Sequence, residues 1–126
     1  PDLVHDLNRL RAPFNVGTLG QIAARAALGD QVHLRASVDA TIRERRALRA
    51  SLEAEGLRVA PSQANFVLVD VGRAGRAVYE ALLREGVIVR PMAAPLESWL
   101  RVTIGLPHEN ERFLDALRRV LRDSRA

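Results

Sequence analysis

Cysteine is absent from the 126-residue sequence, which excludes disulfides, thiolate nucleophiles and zinc–thiolate sites. A small disulfide-stapled secreted scaffold is excluded with them, and a reducing, cytoplasmic setting is the expectation. Lysine is missing too, so all 19 basic residues are arginine and no side-chain amine exists for Schiff-base chemistry. No apolar run approaches the length needed to cross a bilayer. Nothing near the start shows the basic stretch followed by an apolar stretch of a signal peptide. Pro1 rather than methionine stands first, which fits a fragment or a trimmed chain.

What is present suits one compact domain with a modest core: hydrophobic residues make up 48% and charged residues 27%, too aliphatic for wholesale disorder. The pI of about 11.1 suggests nucleic acid, but an excess of only +4 produces it, because without lysine or cysteine little titrates between the acids and the arginines. The arginines alternate with acids, as from Asp39 to Arg43 at helical i,i+4 spacing, and that is the pattern of a solvated surface. Binding to nucleic acid or to a membrane is therefore not expected.

Along the chain, residues 1–17 carry few regular signals and read as an arm or linker, with Pro13 pushing Ala12 towards extended geometry. Thr18 and Gln21 suggest a capping box before an alanine-rich helix, and Gly29 stands where a left-handed stop belongs. From Gln31 to Glu55, Leu34, Val38, Ile42, Leu48 and Leu52 form a stripe, interrupted by Arg45, and Gly56 ends the helix. Such a helix is about 37 Å long, against about 35 Å for a compact domain of this size, so it is expected to bridge to something else. Residues Asn65–Val69 read as a strand covered on both faces, Ala74–Glu85 as a helix stopped by Gly86, and Val87–Arg90 as a strand ended by Pro91. Trp99–Ile104 is a strand with Leu100, Val102 and Ile104 on one face and Arg101 on the other. A last helix spans Pro107–Arg122, with Phe113, Leu114, Leu117, Val120 and Leu121 inward. The fold class expected is α/β: a small two-layer sheet covered by helices, preceded by a long helix.

Few residues offer chemistry. His5, His33 and His108 are far apart and fit no metal-ligand spacing, so no metal site is expected. No serine sits in a nucleophile elbow, and Gly72-Arg73-Ala74-Gly75 lacks a full phosphate-loop fingerprint and reads as a turn entering a helix. Arg90 and Arg101 stand out, because each lies in or at the end of an apolar strand, where a guanidinium is costly unless an anion or carboxylate satisfies its donors. Spacing alone favours an ion-paired or edge-exposed pair over an anion site, since edge strands often carry charge.

The blocks Arg11-Ala12-Pro13-Phe14-Asn15-Val16, Pro61-Ser62-Gln63-Ala64-Asn65-Phe66-Val67, Gly86-Val87-Ile88-Val89-Arg90-Pro91 and Leu100-Arg101-Val102-Thr103-Ile104-Gly105, with Glu109-Asn110, occur in that order. Together they resemble the C-terminal part of histidinol-phosphate aminotransferases, which are fold-type I enzymes dependent on pyridoxal phosphate. The resemblance covers nearly the whole chain. It separates this branch less well from relatives acting on aromatic amino acids or from threonine-phosphate decarboxylases.

The resemblance implies three segments: residues 1–30 as a linker arm and helix packing on a large domain outside the chain, 31–56 as a long interdomain helix, and 57–126 as the small C-terminal domain. It implies that Arg101 binds the anionic end of the substrate and that Arg90 assists at the phosphate of histidinol phosphate, with Asn15 and Asn65 as weaker candidates near the cleft. Catalytic residues would lie outside the chain. It also implies pyridoxal 5'-phosphate as cofactor of the whole enzyme, amino-acid and 2-oxo-acid substrates, and a homodimer. Without a lysine, the isolated chain is expected to be inactive. Gly17 stands where the family often has a second asparagine, and Leu106 where a small hydroxyl residue often caps the last helix. An arginine-rich binding module for acidic partners or nucleic acid, without enzymatic activity, is the reading from a different class; steeply salt-dependent binding would mark it.

Overall fold

A computed structural model describes residues 2–10 and 15–123. Its elements, in order, are α1 (Asp2–Leu10), α2 (Thr18–Gly29), α3 (Gln31–Ala54), β1 (Arg58–Val59), β2 (Phe66–Asp70), α4 (Gly75–Arg84), β3 (Arg90–Pro91), β4 (Trp99–Thr103) and α5 (Pro107–Asp123). The chain divides within α3 into two compact units, Pro1–Ser37 and Val38–Ala126.

The C-terminal unit is a two-layer α/β arrangement. Its four strands pair antiparallel throughout, in the order β1-β2-β4-β3. Period-two alternation sends Val67 and Val69 of β2 and Leu100 and Val102 of β4 to one face. There they join Leu48 and Leu52 of α3, Val78 and Leu82 of α4, and Phe113, Leu117 and Val120 of α5 in a single core. Each helical contribution repeats at three or four residues, which puts it on one face of its helix. Phe66, Leu68, Trp99 and Arg101 alternate to the opposite face and are only half-buried. The expected two-sided cover of β2 is therefore corrected: in this chain the helices bury one face.

Local chemistry explains where the elements start and stop. Both α3 and α4 end in Schellman motifs: Gly56 (φ 78°) and Gly86 (φ 73°) take the left-handed conformation, and Leu57 and Val87 donate back to the carbonyls of Leu52 and Leu82 at 3.1 and 2.9 Å. The segment Gly72–Gly75 is a turn into α4, opened by the Asp70 carboxylate accepting from the Gly72 N–H at 3.0 Å. Gly75 donates to the Glu97 carbonyl at 2.8 Å, and a Cβ at that position would meet the same oxygen at 2.8 Å, so this approach requires glycine. At α5, Leu106 offers no capping side chain. The Glu109 carboxylate still accepts from the Leu106 N–H at 2.7 Å, which retains half of a capping box.

Other expectations are corrected. The segment read as an arm contains α1, in which Leu3, Val4, Leu7 and Leu10 recur at helical spacing and all remain exposed. Pro13 and its neighbours from Arg11 to Phe14 lie outside the described residues. Thr18 is the first residue of α2 rather than its cap, Gly17 holds the cap position, and Gln21 Nε2 donates instead to the Val16 carbonyl. Gly29 ends α2 without a positive φ, and the next residue, Asp30, caps α3 by accepting from the His33 N–H at 3.0 Å. Of the strand expected over Val87–Arg90, only Arg90 pairs with β4, and the pairing continues into Pro91, the residue expected to end it. Proline suits that edge position because it has no N–H to donate.

Candidate anion-binding face of the sheet

The register places Arg101 directly between Leu68 of β2 and Arg90 of β3. Arg101 and Arg90 therefore project from the same face, opposite each other on adjacent strands, where like charges repel. Among the described residues neither forms an ion pair. Arg101 is half-buried, and its Nε is buried without a hydrogen-bond partner. Its guanidinium carbon lies over the Phe66 ring, 5.3 Å from the centroid. Phe66 is the diagonal neighbour of Arg101 across the β2–β4 ladder, since its own partner is Thr103. A buried donor without a partner is costly, and two cations without a counter-charge add to that cost. A carboxylate or phosphate accepting from the terminal N–H groups of the two guanidiniums would supply the missing counter-charge.

The strands carrying Arg101 and Phe66 are tied down at the end of the sheet where β2 begins and β4 finishes. Arg45, which interrupts the apolar stripe of α3, donates to the Ala64 carbonyl at 2.8 Å and to Gln63 Oε1 at 3.3 Å. Ser62 Oγ donates to the Phe66 carbonyl at 2.6 Å and accepts from the Ala64 N–H at 3.1 Å. Beyond β4, the Ile104 N–H donates to the Asn65 carbonyl at 2.8 Å. Asn110 is buried and grips the turn after β4: it accepts from the Gly105 N–H at 3.0 Å and donates to the Gly105 carbonyl at 3.1 Å and to Glu44 of α3 at 3.0 Å.

Of the candidates drawn from the sequence, the structure brings Arg90 and Arg101 together. Asn65 lies immediately before β2 and is exposed, one residue before the ring under Arg101. Asn15 is exposed in the segment before α2, within the N-terminal unit. Sequence reading singles out neither Phe66, whose ring lies under Arg101, nor Arg45, which anchors the preceding turn; an arginine breaking an apolar stripe is the available signal for the second. Asn110 also left one, because it extends the spacing of Phe113, Leu114 and Leu117 and so falls on the buried side of α5.

A second cluster on this face joins Arg58, Asp70 and Trp99. Arg58 donates to the Asp70 carboxylate at 2.6 Å and lies 5.1 Å from the Trp99 ring centroid. Burial pushes the Asp70 carboxyl upward, but hydrogen bonds from the Gly72 N–H, Ser98 and Arg58, with the charge of Arg58, outweigh it and hold the group below its ordinary range. Among the described residues no group of three His, Cys, Asp or Glu side chains is placed to hold a metal ion.

The sequence model for aminotransferase class I and II matches residues 1–117. The chain belongs to the aminotransferase class I and II family. Within that family it is 45% identical over 125 residues to histidinol-phosphate aminotransferase 2 of Hydrogenovibrio crunogenus, covering 98% of this chain and 34% of the relative. Against the histidinol-phosphate aminotransferase of an Anaeromyxobacter species the identity is 50% over 123 residues, covering 96% and 34%. The fold matches the crystal structure of Sinorhizobium meliloti histidinol-phosphate aminotransferase in complex with pyridoxal-5'-phosphate with a TM-score of 0.79 and 30% identity, over 94% of this chain and 34% of that one. A Burkholderia pseudomallei protein described as a putative aminotransferase matches with a TM-score of 0.76 and 34% identity, over 95% and 37%. The chain thus spans about a third of the length of the relatives it matches, and its α/β arrangement is that of part of a fold-type I aminotransferase.

Proposed function

We propose that this chain is the substrate-anion-recognising C-terminal part of a pyridoxal-phosphate-dependent aminotransferase that converts histidinol phosphate and 2-oxoglutarate to imidazole acetol phosphate and glutamate. The observation that carries the reading is the opposed Arg90–Arg101 couple, without an ion pair among the described residues, with the unpartnered Arg101 Nε. Arg101 takes the carboxylate or phosphate end of the substrate in both half-reactions, and Arg90 adds its fork at the phosphate, which offers more charge and one more oxygen. A second arginine favours a phosphate-bearing substrate over the aromatic amino acids of related enzymes, and threonine phosphate is its nearest competitor. Several other arginines pair with acids, as in Arg49–Glu53, Arg118–Glu55 and Arg119–Glu85, which weighs against an arginine-rich nucleic-acid module.

Pyridoxal phosphate supplies the electron sink for transamination when bound. With no lysine in the sequence, the residues present do not fit as its covalent holder, and this chain's work is to bind and orient the substrate's anionic end. In this reading residues 1–30 and the start of the helix over 31–56 pack on a large domain that holds the cofactor, and 57–126 form the small domain. The exposed leucines of α1 and α2 support such packing. Homodimer formation and a cytoplasmic setting belong to the same reading, the latter supported by the absence of cysteine.

Two measurements test it. The chain alone, mixed with pyridoxal phosphate and borohydride, is expected to give no lysine adduct and no turnover; turnover by the purified chain contradicts the assignment. In the full-length enzyme, histidinol phosphate is expected to be the preferred amino donor over phenylalanine and tyrosine, and the reverse preference would move the chain to the aromatic branch.

A further inference from the structure

We propose that Phe66 is a positioning residue for Arg101, a platform that fixes the plane of the guanidinium while leaving its donor edges free for the substrate's anionic group. The proposal rests on the reading of Arg101 as the substrate-binding arginine. A guanidinium is ordinarily fixed by hydrogen bonds to a carboxylate, but that would occupy the donors the substrate needs and neutralise the charge that attracts it. Arg101 has no carboxylate partner among the described residues, its Nε is unpartnered, and Arg90 opposes it with like charge. The Phe66 ring, at 5.3 Å to the centroid, is within cation–π range of about 6 Å. An aromatic face attracts the cation without consuming a donor.

The platform is itself held. Phe66 pairs with Thr103 in the ladder, its carbonyl accepts from Ser62 Oγ, and Arg45 anchors the preceding turn through the Ala64 carbonyl. The backbone that carries the ring is therefore fixed by contacts that involve no anion, which is what preorganisation of a binding group requires.

The test uses the full-length enzyme and steady-state kinetics with histidinol phosphate and with glutamate. Phe66→Leu is expected to lower kcat/KM for both about three- to tenfold, mainly through KM. Phe66→Tyr, which keeps the ring face, should restore near-wild-type values. In an Arg101→Ala background the same Phe66→Leu change should cost nothing more, because the group it positions is gone. Equal losses from Phe66→Leu with and without Arg101, or an undiminished kcat/KM in the single variant, overturn the proposal. If Phe66→Leu does not fold, Phe66→Met takes its place, and loss of folding in both assigns the ring to packing and overturns the proposal as well. An Arg101→Ala enzyme of normal activity would instead sink the substrate-binding reading itself, so the two failures are distinguishable.

Discussion

Leu100 and Arg101 are consecutive residues of one strand, yet they belong to different chemistries. Leu100 is fully buried against the helices, with Val67, Val69 and Val102 around it on the inner face. Arg101 faces the other way, into a patch of half-buried rings and guanidinium groups where cations outnumber their counter-charges. The inner face obtains its free energy from apolar area removed from water, on the order of 25 cal/mol per Å². The outer face forgoes part of that stabilisation to hold two arginines in register without acids. No carboxylate stands opposite Arg101, and in the proposed reading an anionic ligand takes that place.

Substitutions on the two faces should separate stability from function. The largest effect is expected inside: Leu100→Ala should destabilise the C-terminal unit by about 2–5 kcal/mol through lost transfer energy and the cavity left behind, read as a lowered urea midpoint. Next is Asn110→Ala, which strips the partners from the Gly105 N–H and from Glu44 and should cost about 1–3 kcal/mol. A fall of that size would show that the turn following Arg101 is held by this side chain, and an unchanged midpoint would remove it from the account.

Arg90→Ala should leave stability nearly unchanged, because Arg90 is exposed, while lowering kcat/KM for histidinol phosphate about three- to tenfold more than for glutamate. Equal losses with both substrates would end the case for phosphate selectivity. The smallest effect concerns Asp70. A carboxyl held below its ordinary range contributes stability that is fully present above the unfolded value of about 3.9 and is lost as pH falls through the folded value. Asp70→Asn should therefore cost less than about 1 kcal/mol of stability at pH 7, since Arg58 is largely exposed, and so lower the urea midpoint slightly. The gap from wild type should close towards pH 3, and a gap that widens on acidification would contradict the sign.

Much of this arrangement was legible in the residues. The apolar spacing of Phe113, Leu114, Leu117 and Val120 gives α5 within one residue, and Gly56 and Gly86 mark two helix ends because only an unhindered residue takes a positive φ at little cost. Arg90 and Arg101 stand out as charge set in apolar strands. Their direct opposition does not, because it depends on antiparallel register, which no single strand's pattern contains. For the same reason β1 was not visible: it is two residues long and exists through its pairing with Asp70 and Val69. The helix at the start was hidden differently. Its leucines meet no core among the described residues, and the periodic stretch, only nine residues long before Pro13, reads as an arm. The single-sided cover of β2 escaped notice because Phe66 and Leu68 are apolar although they do not enter the core.

The central claim is that the outer face is shaped by an anionic ligand rather than by stability, and Arg101→Ala in the full-length enzyme tests it most directly. Each charged hydrogen bond lost is worth about 1.5–3 kcal/mol, which corresponds to a fall in kcat/KM of at least about tenfold and up to about a hundredfold for both histidinol phosphate and glutamate. The urea midpoint should stay at or above the wild-type value, because a buried unpartnered donor and a like-charge repulsion are removed together. Near-normal kinetics with a lowered midpoint would contradict the account and return Arg101 to a purely structural role.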